Sequence, residues 1–166
     1  MNEPLGEMLV EHRADDLGAP FDVVLVSSIR RNADGVVTIP DMKGLVAAVA
    51  MMRLWRDERL TGSELAFLRK AAGIKRIDLG RAIGSGEEEI EAYETGPRPM
   101  TIGIEKYIRL HLFNAARRID GPRVDDMINF LDWTFDEWRP TFTEVGSPIE
   151  IRLGHFPTGW QEIKSA

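Results

Sequence analysis

The chain has 166 residues, no cysteine and a formal net charge of −6, with 43% apolar and 29% charged residues. This length suits one sizeable domain or a small domain with added elements. The composition is typical of a globular protein, not a disordered one. The missing cysteines exclude disulfides, zinc–cysteine sites and thiol nucleophiles. Because the net charge is negative, any binding of nucleic acid requires a local basic patch.

No segment predicts a signal peptide or a membrane anchor. The N-terminus lacks a basic region followed by an apolar run. The most apolar stretch, GLVAAVAMMRLW at 44–55, is shorter than the roughly 20 residues that span a bilayer. We therefore expect a cytoplasmic protein that does not bind membranes, which fits the absence of cysteine.

The segment FDVVLVSSIRRNADGVVTIPD predicts a β-hairpin. Its two β-branched runs give strands at about 21–30 and 36–39. The Asp34-Gly35 pair between them supplies the positive φ that a tight hairpin turn requires. The chain is therefore expected to begin with a β-rich segment.

Further elements are predicted on both sides of the centre of the chain. Asp41 can cap a helix that runs to about Arg56, where apolar residues recur at helical spacing. Near the C-terminus, PRVDDMINFLDWTFDEW predicts a helix with an apolar side formed by Val124, Ile128, Leu131 and Phe135. The tail IEIRLGHFPTGWQEI alternates and turns at FPTG, which predicts a second hairpin.

Three short helices and one longer helix are predicted between Thr61 and Ile119. Thr61 and Glu64 have capping-box spacing, in which each side chain accepts a hydrogen bond from an amide at the helix start. The first of these helices should therefore begin near Gly62 and stop at Gly73.

The next unit, IKRIDLGRAIGSGEEEIEAYETG, predicts two helices joined by a sharp turn. Gly84 can adopt the left-handed conformation that ends one helix and redirects the chain into another. Ile90 and Tyr93 then face back at i, i+3, and Gly96 closes the second helix. This is the layout of a helix-turn-helix.

Residues 60–113 resemble the XRE family, the lambda-repressor-like DNA-binding domains. The similarity lies in LTGSELAFLRKAAGI, KRIDLGRAIG and SGEEEIEAYETGPRP, which correspond to the first helix, the second helix and the turn with the recognition helix. YETG at 93–96 is similar to the aromatic-Glu-x-Gly near the family's third helix. The order of a hairpin, IPDMKGL and LTGSELAFLR also resembles a subgroup of antitoxin-like XRE regulators with a β-rich N-terminal segment. The resemblance does not cover 120–166.

We therefore expect an α+β, predominantly helical fold with a lambda-repressor-like helix-turn-helix and flanking β-hairpins. The expected parts are an N-terminal segment at 1–57, the helix-turn-helix domain at 58–120 and a C-terminal helix with a hairpin at 121–166. The resemblance implies an antitoxin-like transcriptional regulator that binds operator DNA. The aromatic C-terminal helix indicates a homodimer through the C-terminal segment.

The resemblance also assigns candidate DNA contacts. Lys75 and Arg76 occupy positions where the family has a small capping residue and a glutamine that touches phosphate; both side chains can reach a phosphate, although lysine cannot cap. Arg81 and Arg98 are further candidates for phosphate contacts. The family's polar base readers and its frequent arginine correspond here to Glu87, Glu88, Glu89, Glu91 and Ala92.

The acidic segment GEEEIEAYETG at 86–96 leaves three interpretations open. Acidic residues suit the first turn of a helix, where each stabilises the dipole by roughly 0.3–1 kcal/mol. Alternatively, the helix does not read DNA, because carboxylates repel phosphates and only cytosine N4 offers them a donor. It would then bind a protein partner, such as a toxin or another regulator. In the third interpretation, one glutamate contacts a base. The discriminating feature is whether four basic residues form an exposed face clear of the glutamates: Lys75, Arg76, Arg81 and Arg98.

The sequence predicts no catalytic residue, cofactor or metal site. His12, His111 and His155 are scattered and lack metal-ligand spacing. GSGEEE has no lysine for a phosphate-binding loop. The aromatic residues of the C-terminal helix are more typical of a core or an interface than of a ligand pocket. We expect a protein that is not an enzyme.

Overall fold

The computed structural model describes residues 6–9, 11–27, 29–96, 98–119, 124–139 and 149–164, and it shows an α+β fold dominated by helices. The strands are β1 Glu7–Leu9, β2 His12–Arg13, β3 Asp22–Leu25, β4 Ile29–Arg31, β5 Val37–Thr38, β6 Glu150–Phe156 and β7 Gly159–Glu162. The helices are α1 Met42–Leu54, α2 Gly62–Ala71, α3 Arg76–Ala82, α4 Glu87–Thr95, α5 Ile102–Ile119 and α6 Val124–Asp132. Among these helices, none is both long and apolar enough to cross a membrane.

The strands form two small sheets, which corrects one prediction. The expected strand at 21–30 is two strands, β3 and β4, and they belong to different sheets. One sheet has the order β1-β4-β5 and the other β2-β3-β6-β7. The first sheet is antiparallel throughout, whereas β3 and β6 pair in parallel, with Val23 opposite Ile151. A strand from the end of the chain thus completes a sheet that begins near its start.

Both predicted hairpins are present. In the first, β4 and β5 flank a turn in which the Asn32 side-chain oxygen accepts from the amides of Asp34 and Val36, at 3.0 and 2.8 Å. Gly35 in this turn has a φ of 83°. In the second, β6 and β7 pair in antiparallel register. The predicted second hairpin is therefore confirmed, and the first is confirmed with a shorter leading strand.

Helix α1 connects the sheets to the helical part of the molecule. Its start is capped as predicted, because the side chain of Asp41 accepts a hydrogen bond from the amide of Gly44 at 3.1 Å. One side, including Leu45 and Val49, packs on the sheet core with β3, β6 and the buried Trp160. The other side, including Leu54, packs on the helical core. This burial on two sides explains why almost the whole helix is apolar.

Helix α6 buries a different side from the one predicted. Phe130 is fully buried and stacks on Phe113 of α5 with ring centroids 4.0 Å apart. Ile128, Leu131 and Phe135, the expected apolar side, are all exposed. The side chain of Val124 lies outside the described residues. A wider, π-helical turn at Trp133–Glu137 follows α6, and it places Trp138 in the core.

Candidate interaction site on helices α3 and α4

Helices α3 and α4 are joined by a turn that depends on two glycines. Gly84 has a φ of 75°, the left-handed conformation that the sequence predicted. Gly80, inside α3, lies against the start of α4, where an added Cβ would come within 2.6 Å of the Gly86 carbonyl oxygen. This role of Gly80 was not predicted from the sequence. The sequence nevertheless carries a signal for this close contact, because glycine is otherwise unfavourable in the middle of a helix.

The inner faces of these helices anchor them to α2 and α5. Ile90 and Tyr93 of α4 are buried as predicted, and so is Leu79 of α3. Helix α2 begins with the predicted capping box: Thr61 Oγ1 accepts from the Glu64 amide at 3.2 Å, and Glu64 accepts from the Thr61 amide at 2.9 Å. Lys75 stands at the N-cap of α3 without a side-chain capping bond, as expected.

A buried carboxylate holds Arg76 against α4. Glu94 of α4 accepts hydrogen bonds from Arg69 Nε at 2.5 Å and from Arg76 Nε at 2.7 Å. A second carboxylate, that of Glu91, lies 3.7 Å from Arg76 Nη1. The hydrogen bond to Glu94 raises the pKa of Arg76 above its ordinary value. Arg76, predicted to bind phosphate, therefore has its charge engaged within the protein.

A second group of contacts surrounds Glu89. Its carboxylate accepts hydrogen bonds from the Tyr93 hydroxyl at 2.6 Å and from the Ser85 hydroxyl at 2.9 Å. These two bonds hold the pKa of Glu89 below its usual range. Arg98 Nη2 lies 3.6 Å from the same carboxylate, and its guanidinium lies over the Tyr93 ring. Glu89 is therefore a positioning residue for the turn, and Arg98 faces it.

The outer surface of α4 is acidic. Glu87, Glu88 and Glu91 are exposed, and Ala92 is partly buried. Two basic residues of the neighbouring α3 are also exposed. Lys75 forms no ion pair within the described part of the chain. Arg81 has a side chain that is 76% exposed and lies 3.9 Å from Asp78. Between Lys75 and Arg98 the sequence has four basic and six acidic residues, a net charge of −2. Of the four predicted phosphate contacts, Arg76 and Arg98 thus lie beside carboxylates of α4, whereas Lys75 and Arg81 are exposed at the two ends of α3.

Sequence reasoning missed the pairing of Glu94 with Arg69. A signal was present, because Glu94 follows Ile90 by four residues and Tyr93 by one, and so lies on the buried face of α4. Arg69 directly follows the buried Leu68 on α2. A charge predicted on a buried helix face requires an opposite charge nearby.

Stability should fall at low pH through Glu94. Burial raises the pKa of this carboxyl, but the hydrogen bonds from Arg69 and Arg76 outweigh burial and bring it below 4.5. A carboxyl whose pKa is lower in the folded state stabilises the protein above its unfolded pKa, and this contribution disappears as the pH falls through the folded pKa. Urea unfolding between about pH 5 and pH 3 should therefore show a smaller loss of stability for Glu94→Gln than for the wild type. Equal losses would contradict this assignment.

The described residues hold no group of three or more histidine, cysteine, aspartate or glutamate side chains that could bind a metal ion. A cavity of about 850 Å³ lies between the end of α1 and the β6–β7 hairpin. Two of its basic residues are already paired, Arg56 with Glu162 at 2.5 Å and Arg152 with Glu150 at 3.3 Å. The cavity wall thus presents internal ion pairs and no convergent catalytic groups.

No family model, no curated protein and no solved structure matches this chain. The resemblance to the XRE family therefore rests on the motifs quoted above.

Proposed function

We propose that this chain is a lambda-repressor-like helix-turn-helix protein of XRE type that binds a protein partner through the acidic face of α4. The face consists of Glu87, Glu88 and Glu91. The tight α3–α4 turn at Gly80 and Gly84 supports the helix-turn-helix assignment.

The three exposed carboxylates of α4, a helix that has no basic residue of its own, are the observation that carries this proposal. Duplex DNA carries one negative charge per about 1.7 Å of its axis, so neutralisation of phosphates supplies most of the affinity of a DNA-binding surface. A net-negative face gains no affinity for DNA from the neutralisation of phosphates. The same face attracts a basic protein surface and speeds its association.

Operator binding as a homodimer is the second candidate, and one observation favours it. Lys75 and Arg81 are both exposed at the two ends of α3, and the one ion pair that the described residues show for them joins Arg81 to the exposed Asp78 at 3.9 Å. Because surface ion pairs contribute only about 0–1 kcal/mol, Arg98 could also leave Glu89 for a phosphate. In this second candidate, the glutamates weaken binding to unrelated sequences.

Replacing Glu88 and Glu91 with glutamine separates the two candidates. If α4 binds a basic protein, the variant should associate with that partner more slowly, and the difference should grow as salt is lowered. To isolate the partner, the wild type and the variant are each immobilised and exposed to a nuclease-treated cell extract. The partner is the protein that the wild type retains and the variant does not. Its association rate is then measured with purified components. The control is Asp15→Asn/Asp16→Asn, which removes two exposed charges elsewhere and should leave the rate unchanged.

Binding to duplex DNA from the region upstream of this protein's own coding sequence tests the operator-binding candidate directly. We expect fluorescence anisotropy to show no binding by the wild type beyond the nonspecific range of about 10⁻⁴–10⁻⁶ M. Nanomolar binding whose salt dependence is reduced in Lys75→Ala/Arg81→Ala would overturn the proposal and establish the operator-binding candidate. Arg76 is left in place in this variant because it is bound to Glu94.

A further inference from the structure

The C-terminal helix carries an exposed apolar stripe. Ile128, Leu131 and Phe135 are 55%, 42% and 41% exposed. Ile128 and Leu131, three residues apart, share one side of α6, and Phe135 is exposed in the π-helical turn that follows it. The opposite side, with Phe130, Thr134 and Trp138, is buried. The stripe therefore remains exposed although other residues of α6 and the following turn are packed in the core.

The Tyr107 ring of α5 extends the stripe. It is also exposed, and it meets the Phe135 ring edge to face, with centroids 6.1 Å apart. The Ile128–Phe135 part alone is about 10 Å long, which corresponds to two turns of a partner helix. An apolar strip of this length with helical spacing fits the i, i+3, i+4, i+7 side chains of an amphipathic helix.

The charges beside the stripe are all negative along the helix. Asp132 and Asp136 each directly follow an apolar residue of the stripe, and both are exposed. In the described part of the chain neither forms an ion pair, whereas most arginines there are paired. The sequence has no basic residue between Met127 and Glu137. At one end of the stripe, the ammonium group of Lys106 donates to the Phe135 carbonyl oxygen at 3.4 Å.

We propose that this acid-bordered stripe binds an amphipathic helix with basic flanks from another protein. A second copy of the chain fits less well. An isologous dimer would place the same surface on both sides. Such a contact would gather two carboxylates from each copy, with no basic residue between Met127 and Glu137 to pair with them, and like charges across an interface destabilise the complex. A partner helix with lysine or arginine beside its apolar residues would cover the apolar stripe and would also pair with the carboxylates of Asp132 and Asp136. This surface is separate from the face of α4.

The test uses the full chain and a fluorescein-labelled synthetic helix of leucine and lysine with apolar residues at i, i+3, i+4 and i+7. A scrambled peptide of the same composition is the reference. Anisotropy should show at least tenfold tighter binding of the amphipathic peptide. Ile128→Ser/Leu131→Ser should remove this preference. Asp132→Asn/Asp136→Asn should weaken binding severalfold, and more at low salt, while leaving the apolar stripe intact.

Two matched controls remove similar groups elsewhere. Val36→Ser/Met42→Ser replaces two other exposed apolar residues, and Asp15→Asn/Asp16→Asn removes two exposed carboxylates that belong to neither proposed surface; both variants should bind the peptide as the wild type does. Equal affinity for the scrambled peptide, or an equal loss of affinity in Asp15→Asn/Asp16→Asn, would overturn the proposal, because binding would then be charge attraction alone. It would also be overturned by a homodimer, seen in light scattering, that dissociates in Ile128→Ser/Leu131→Ser. A circular-dichroism melt of each variant verifies folding.

Discussion

Replacing Arg109 with alanine should lower the free energy of unfolding by about 3–5 kcal/mol. Arg109 is completely buried on α5. Its guanidinium donates to the carbonyl oxygens of Leu54 at 2.6 Å and Glu58 at 2.7 Å, and to Glu105 at 3.1 Å. Alanine would leave the buried Glu105 short of one cationic partner, would remove the Arg109 donor from the carbonyl groups of Leu54 and Arg56, and would leave the Glu58 carbonyl with only the longer hydrogen bond from Arg53. Removing one partner of a buried pair costs far more than forming the pair contributes.

The position of Arg109 explains why one residue has so large an effect. It lies over the Trp138 ring with its guanidinium carbon 4.3 Å from the ring centroid, and the Trp138 indole nitrogen donates to the Asp57 carbonyl at 3.0 Å. Burial lowers the pKa of Arg109 to about 10, so the side chain stays charged at neutral pH. It therefore joins α5, the α1–α2 connection and the C-terminal turn at one point.

Urea unfolding monitored by tryptophan fluorescence checks this expectation. Arg118→Ala is the matched control, because Arg118 is exposed on the same helix and no ion pair of this residue occurs within the described ranges. We expect the control to change stability by no more than about 0.5 kcal/mol. A loss below about 1 kcal/mol for Arg109→Ala would show that water or a neighbouring arginine replaces its hydrogen bonds.

Elements that depend on local signals could be predicted from the sequence. Asp41, the Thr61–Glu64 capping box and Gly84 each act within four residues, and all three are found where predicted. The parallel pairing of β3 with β6 could not be predicted, because it joins Val23 to Ile151 across most of the chain. Within 21–30, Ser27 and Ser28 interrupt the apolar residues where the chain leaves one sheet for the other, but two serines alone do not show that the flanking strands belong to different sheets.

The side of α6 that is buried was predicted wrongly for a physical reason. Regular helical spacing favours Ile128, Leu131 and Phe135, but the π-helical turn at Trp133–Glu137 changes the spacing at the end of the helix. Thr134 is buried there, and its hydroxyl donates to the Phe130 carbonyl at 2.7 Å. Phe130 and Trp138 can then both reach the core. Because such a turn needs tertiary contacts to form, periodicity alone does not reveal it.

At the candidate site, the sequence likewise does not reveal which charged residues pair in the folded chain. The sequence identifies Arg76 and Arg98 as basic and Glu89 and Glu94 as acidic, but it does not show which of them pair. In the folded chain each arginine lies beside one of these carboxylates. Their charges are therefore offset by carboxylates, at two of the four positions for which the sequence left an exposed basic face open. The exposed positions Glu87, Glu88 and Glu91, in contrast, follow directly from the buried Ile90 and Tyr93.

Replacing Gly80 with alanine should destabilise the α3–α4 unit by roughly 1–3 kcal/mol. The added methyl group would lie 2.6 Å from the Gly86 carbonyl oxygen and 3.1 Å from the Glu87 amide nitrogen. Both obstacles are backbone atoms, so no side chain can move aside and the two helices must separate. Alanine is otherwise the better helix former, by about 1 kcal/mol. A loss of stability would therefore reveal the close contact and not the helix propensity.

Two neighbouring glycines make this test specific. Gly86 has open space around its Cβ position and a φ of −101°, so Gly86→Ala should be nearly neutral. Gly84 also has open space but a φ of 75°. Gly84→Ala should therefore cost about 1 kcal/mol, and Gly84→Asn less, because asparagine tolerates the left-handed conformation. Thermal unfolding and amide hydrogen exchange across α3 and α4 would measure all four variants. If Gly80→Ala proved as stable as Gly86→Ala, the helices would not be in the close contact on which the helix-turn-helix assignment depends.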